Sequence, residues 1–325
     1  MADTLLQGAT LGDDLPLRNS IVMSFLTRNR CIDDNKPGPA VVEHHATRAR
    51  DGVGLIIAEG TFVLQTLLPG GKIFYQPWHL GALNSSGDVS EFEKPKEIVE
   101  QYRNSARLAK LSGFDGVELL ASGGYLMSQF LTSQCNARKD AYSFHPIENR
   151  CRFLLEVLAT VVEIWGTPRR IGVKICPGDD MNNATASYGE LSETYDYLVQ
   201  ELLRRDIAFI TLSRRGSEKE VERQRDPRPS GNSLPDGWEP LHQFGPPVKQ
   251  ASGRTSLMVT TEYTVNEASD LIREGRIDFD LVTRIKNNLP FAVNDRGGHI
   301  YYGPFQDANG GYNDWPTTVS QKQKS

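Results

Sequence analysis

The chain has 325 residues, 38% of them apolar and 24% charged, with 36 basic side chains against 41 acidic and a net charge of −5. That composition is too apolar for a disordered chain, and the acidic balance offers no positive field for nucleic acid or anionic lipid, so neither is predicted as a partner. The length leaves two domains or one large α/β barrel.

In chain order, the N-terminus lacks the basic and apolar regions of a secretion signal, and no run approaches the ~20 apolar residues of a membrane span. Cys31, Cys135, Cys151 and Cys176 lie far apart with no CxxC pair, which predicts neither a metal site nor a disulfide framework. A cytoplasmic setting with reduced thiols is expected. Short β-branched runs at 21–25, 54–59, 72–76, 116–120, 171–176, 209–213, 256–260 and 279–282 predict eight strands. Helical periodicity over 40–50, 93–111, 147–164, 190–204 and 265–273 separates them.

This alternation predicts an α/β fold, a (β/α)8 TIM barrel, with residues 1–325 as one domain. The segment 61–69 is too short for a parallel crossover with its helix, so the second barrel helix is expected to be shortened or missing. The exposed outer face that this leaves could be covered by a second copy, a possible homodimer. Charge, Pro and Gly over 214–254 predict a long loop after the sixth strand, solvated or serving as a lid over the barrel mouth; residues 317–325 read as a frayed tail.

Several stretches carry a resemblance: RNSIVMSFLTRNR (18–30), GLIIAEGT (54–61), GGKIFYQPWHLG (70–81), GFDGVELLASGGYLMSQFL (113–131), IENRCRFLLEV (147–157) and GGYNDWP (310–316). In this order they resemble the old yellow enzyme family of FMN-dependent ene-reductases, which are (β/α)8 barrels. The resemblance implies that Thr27, Gly60 and Gln76 contact the flavin ring, that Trp78 lines the pocket and that Tyr125 donates a proton to the substrate. The family pattern HGANGY here reads Leu120 to Tyr125, so the His and Asn that bind a substrate carbonyl are replaced by Leu120 and Gly123. Leu120 has no hydrogen-bond donor with which to polarise an enone oxygen.

The resemblance also places Lys174 where the family has an Arg against the flavin pyrimidine, which keeps the charge and loses the planar fork. The glycines that cradle the flavin phosphate are Thr260 and Thr261 after the seventh strand and Thr283 beside Arg284 after the eighth, and Phe25 replaces a proline beside the ring. These replacements predict a degraded FMN site and, as the leading expectation, no resident cofactor.

The open pocket would then hold Glu59, His79, Glu118, Tyr125 and Lys174 at strand ends. Such a set could run a flavin-independent isomerase or epimerase: Lys174 stabilises an enolate, His79 or Glu118 takes the proton and Tyr125 returns it. The substrate expected is a bulky hydrophobic carbonyl compound of specialised metabolism. Each residue also has a structural alternative, Glu59, Glu118 and Lys174 as an interior ion network and His79 as a hydrogen-bonded shoulder. Two other functions stay open: an FMN-dependent, NAD(P)H-using ene-reductase, and a binding scaffold without catalysis.

Overall fold

The computed structural model describes residues 4–12, 14–25, 28, 30–32, 36–59, 72–81, 88–91, 94–179, 181–182, 184–214, 234–261, 263–279, 307–310 and 312–313. A hairpin of β1 (Ala9–Leu11) and β2 (Leu15–Leu17) precedes β3 (Val22–Met23). A second small hairpin, β4 (Cys31–Ile32) with β5 (Lys36–Pro37), leads into α1 (Pro39–Arg50). Then follow β6 (Leu55–Ile57), β7 (Ile73–Tyr75), α2 (Pro95–Leu111), β8 (Gly116–Ala121), α3 (Leu126–Phe130), α4 (Ile147–Trp165) and β9 (Ile171–Ile175). The described chain continues through α5 (Tyr188–Arg204), β10 (Phe209–Ser213), α6 (Pro240–Gln250), β11 (Ser256–Thr260) and α7 (Val265–Arg273).

Seven strands pair in parallel in the order β3, β6, β7, β8, β9, β10, β11, and a parallel bridge from Met258 to Phe279 opens the eighth. Successive strands are neighbours and helices intervene, the arrangement of a (β/α)8 barrel. Alternation along each strand divides the apolar residues into two cores. Val117, Leu119, Val173, Ile175, Ile210, Leu212, Leu257 and Val259 face the helices. Val22, Leu55, Ile57, Phe74, Phe209 and Met258 fill the interior, together with Leu11, Leu15 and Leu17 of the first hairpin.

Two glycines make room for the interior phenylalanines. A Cβ on Gly172 would lie 2.1 Å from the Phe209 ring, and one on Gly116 would lie 2.4 Å from that of Phe74, so each ring occupies the volume of a missing side chain. Helix starts follow capping chemistry. Ser187 caps α5 through Glu190 N–H, and Thr264 and Glu267 form a capping box on α7.

The expected 214–254 loop needs correction. Its part Pro240–Gln250 is α6, which buries Leu241, Phe244 and Val248 and supplies the crossover between β10 and β11. Pro246 and Pro247 lie inside this helix, and packing of the apolar face outweighs the backbone donors they remove. Residues 215–233 of that segment lie outside the described residues, as do the short crossover 61–69, strand positions 280–282 and the tail 317–325. No disulfide joins the four cysteines, and among the described residues no helix is long and apolar enough to cross a membrane.

Candidate functional site

Side chains at the C-terminal ends of the strands converge on the barrel mouth, where this fold carries its chemistry. Gln76 follows β7 and is fully buried; its Nε2 donates to Glu118 Oε2 at 2.5 Å. Thr211 on β10 donates to Glu118 Oε1 at 2.6 Å, so both carboxylate oxygens are engaged inside the barrel. Burial raises the pKa of Glu118, opposed by the Lys174 charge and these two hydrogen bonds.

Lys174 stands in register with Leu120 on one side and Thr211 on the other. It is 7% exposed, and its Nζ lies 4.6 Å from the centroid of the Phe25 ring. Among the described residues the ammonium makes no hydrogen bond and no ion pair. Burial lowers its pKa, with Glu118, Cys176 and Asp179 acting in the opposite sense. Below this polar layer a cavity of about 10 Å³ is lined by Val22, Ser24, Ile57, Glu118, Thr211, Met258 and Phe279, among others.

Tyr125 occupies the N-cap position of α3, and its ring meets Trp78 edge-on with centroids 4.9 Å apart. Gly123 and Gly124 before it have φ values of 74° and 66°, and a Cβ on Gly123 would lie 2.9 Å from the Tyr125 ring. Glycine at 123 therefore has a steric reason: any side chain there would press on the tyrosine. Leu120 is buried at the end of β8.

Two residues expected as working groups hold structural posts. His79 Nδ1 accepts the Gly81 N–H at 3.0 Å, and its carbonyl accepts the Leu126 N–H at 3.1 Å, which seats the first turn of α3. With Nδ1 so used, the neutral ring carries its proton on Nε2 and presents a donor rather than a base. Burial lowers its pKa. Glu59 accepts the Arg28 N–H at 2.6 Å and the Tyr312 hydroxyl at 2.8 Å, and Tyr312 in turn stacks on His44 at 3.8 Å. The carboxylate thus ties the C-terminal segment to the end of β6 and to Arg28, and the Tyr312 ring carries the tie on to α1.

At the ends of β10 and β11, Thr261 has a φ of 74°, a left-handed conformation rarely taken by a β-branched residue. Its hydroxyl shares a hydrogen bond of 2.9 Å with Ser213, and the Arg214 N–H donates to Thr260 O at 3.1 Å. Arg214 pairs with Glu239 and Glu267 and lies 3.9 Å above the Tyr263 ring.

A profile of the NADH:flavin oxidoreductase / NADH oxidase family matches residues 88–291, well over half of the chain. The chain belongs to this family. It is 27% identical to the NADP-dependent oxidoreductase lnbE of Aspergillus flavus over 361 aligned positions, 92% of this chain and 93% of that one. Since 361 positions exceed the 325 residues here, the relative carries internal segments that this flavin oxidoreductase relative lacks. It is 33% identical to 12-oxophytodienoate reductase 7 of Oryza sativa subsp. japonica, over 50% of this chain and 56% of that one.

Among solved structures, morphinone reductase in complex with tetrahydroNAD superposes with a TM-score of 0.72 at 25% identity, covering 96% of this chain and 97% of that one. The old yellow enzyme from Trypanosoma cruzi gives 0.74 at 20% identity over 97% and 99%, which speaks for the barrel fold.

Three observations bear on whether this flavin oxidoreductase family member fits the family's flavin. Gln76 Oε1 is buried and has no hydrogen-bond partner among the described residues. Lys174, on the strand next to that of Glu118, offers a donor that makes no hydrogen bond or ion pair among the described residues. Thr261 keeps the backbone conformation of a glycine although its side chain is β-branched. A free acceptor and a free donor match the imide edge of a flavin, and a left-handed residue at a strand end suits a main chain that approaches an anion. The residues present therefore fit the group. Thr27, Gly60 and Arg284, also expected to touch it, lie outside the described residues.

Proposed function

We propose that the protein is an FMN-dependent, NAD(P)H-consuming reductase of an electron-poor carbon–carbon double bond. The orphaned Oε1 of fully buried Gln76 carries this reading. A buried acceptor without a partner costs about 1–3 kcal/mol, which a bound ring N–H would offset. Family membership and the names of its relatives support the flavin-dependent reading over the cofactor-free one expected from Leu120 and Thr261.

Held at the mouth, FMN would supply two-electron transfer between NAD(P)H and the alkene. Gln76 and Lys174 orient the ring, and the Lys174 charge favours electron density on the ring's carbonyl side. Tyr125 delivers the proton that completes reduction, with its ring braced by Trp78. Leu120 gives the substrate an apolar wall with no hydrogen bond for a carbonyl oxygen, which favours a bulky hydrophobic, specialised-metabolite substrate over a small enone.

The test is reconstitution with FMN followed by NADPH oxidation in the presence of a bulky hydrophobic enone such as carvone, with 2-cyclohexenone as the small-enone comparison. Enone-dependent oxidation that drops in Tyr125→Phe supports the reading, and none with a fully flavin-loaded protein overturns it.

One observation favours a second reading, a flavin-free isomerase or epimerase that moves a proton next to a carbonyl. Lys174 is an amine with a lowered pKa at the mouth, and Tyr125 is a proton donor nearby in the same barrel end. Glu118 and His79, the other expected bases, are engaged elsewhere, so Lys174 would be the base. Solvent deuterium entering a carbonyl substrate beside its C=O, without NAD(P)H and without flavin, would support it.

A further inference from the structure

We infer that Asp179, on the turn after β9, is a positioning residue for Tyr125, gripping from the neighbouring β/α unit the glycine pair on which Tyr125 is mounted. The inference rests on the reading of Tyr125 as proton donor.

Ser122 to Gly124 leave β8 without a strand to pair with, and glycine brings the greatest backbone freedom to the two positions before Tyr125. A proton donor mounted there needs its platform fixed by outside groups. Asp179 is 3% exposed; its Oδ2 accepts the Gly123 N–H, and its Oδ1 accepts the Met181 N–H at 3.2 Å. Asn182, three residues on, donates from Nδ2 to Gly123 O at 2.7 Å. Both polar groups of Gly123 are thus held by the turn after β9. On the other side Gln129 of α3 donates to Gly124 O at 2.8 Å.

The two turns also interlock sterically. A Cβ on Gly124 would lie 2.4 Å from Met181 O, so the chain of one turn seats in the space left by the glycine of the other. Asn182 takes a φ of 53° to bring its amide round to Gly123. A buried carboxylate is an expensive way to hold an amide unless it is compensated, and the Lys174 ammonium, on the strand that ends just before this turn, interacts with it electrostatically. Asp179 therefore links the residue proposed to orient the flavin with the platform of the residue proposed to donate the proton. Its part is to position, through Gly123, and not to touch substrate or cofactor.

The experiment compares wild type, Asp179→Ala, Asp179→Asn, Tyr125→Phe and the double variant D179A/Y125F, each loaded with FMN. The probe reaction is NADPH oxidation by the bulky hydrophobic enone carvone. A misplaced reacting group can cost up to about a hundredfold in rate, so D179A is expected to lower kcat about tenfold, with KM for the enone and the Kd for FMN within about twofold of wild type. The double variant should be no slower than the slower single one, because both changes disable the same proton delivery. Unchanged kcat in D179A alongside a slowed Y125F overturns the inference and leaves the Tyr125 reading standing; so does full additivity. A Y125F protein as fast as wild type overturns the Tyr125 reading, and the inference with it.

A second measurement needs no turnover and serves if D179A does not fold. In protein carrying 13C-labelled tyrosine rings, the Tyr125 resonance is identified by its loss in Y125F. Asp179→Asn, which keeps one acceptor oxygen and removes the charge, should move or broaden that resonance, and an unmoved line overturns the inference.

Discussion

The Lys174 ammonium sits 4.6 Å from the centre of the Phe25 ring, on the inner wall of the barrel where β9 ends. Among the described residues the ammonium makes this cation–π contact and no direct ion pair, with Glu118 and Asp179 acting on it at longer range, and the contact is weaker than the bidentate pairing an arginine could make. Lys174→Met should weaken FMN binding ten- to a hundredfold, the worth of one charge-assisted hydrogen bond of about 1.5–3 kcal/mol. Lys174→Arg should restore it to within a few-fold of wild type. Quenching of flavin fluorescence on titration reads both.

Thr261 is expected to be the weak point of the phosphate end. A β-branched residue at a φ of 74° carries strain of about 1–3 kcal/mol, partly offset by its hydrogen bond to Ser213. Thr261→Gly removes the strain and the bulk together, so FMN affinity should rise about tenfold. The melting temperature of the flavin-free protein should change little, since glycine's greater unfolded-state entropy offsets the relief. A fall in affinity would show that the threonine hydroxyl, rather than the main chain, faces the anion.

Leu120 predicts the substrate behaviour. Leu120→His or Leu120→Asn places a donor at the end of β8, where a carbonyl oxygen could be polarised, and should raise kcat/KM for 2-cyclohexenone by about tenfold or more. The cost is a polar group in a buried position, read as a modest loss of melting temperature.

His44 predicts the acid limit of the fold. Burial first, then the charges of Arg48, His45 and Arg28, lower its pKa from 6.5 to about 2, although a hydrogen bond with Asn313 pulls the other way. The unfolded chain therefore binds a proton that the folded chain refuses between about pH 6.5 and 2. Stability from this group is complete above the unfolded pKa and is lost as pH falls through that window, by up to about 1.4 kcal/mol per pH unit. His44→Phe keeps a ring against Tyr312 and removes the titration. Its urea midpoint should fall less steeply than wild type between pH 6 and 4, and parallel curves would contradict the assignment.

The barrel was legible because parallel strands buried on both faces read as β-branched runs, as in IGVKIC, FITLS and SLMVT. Helix α6 was not, because Gly245, Pro246 and Pro247 are breakers in any local reading and only the packing of Phe244 and Val248 against the sheet overrides them. In the site, the resemblance pointed to Tyr125, but Gly123 read there only as a lost asparagine, because the left-handed turn that needs glycine shows only in the fold. The hydrogen-bonded shoulder at His79 was among the sequence alternatives, whereas the use of Glu59 was hidden, since strand-end position says nothing about the partner. For Glu59 that partner is Tyr312, 253 residues further along the chain. Asp179 reads as an ordinary turn residue until the fold brings Gly123 to it.

As proposed, this barrel holds FMN and passes electrons from NAD(P)H through it. The most direct measurement is an anaerobic titration of the purified protein with FMN, followed by addition of NADPH, with the flavin absorbance band as readout. Saturable binding of one FMN per chain and bleaching of the bound flavin by NADPH are expected. A protein that leaves FMN free at millimolar concentration, or binds it without reduction by either NADPH or NADH, would contradict the proposal.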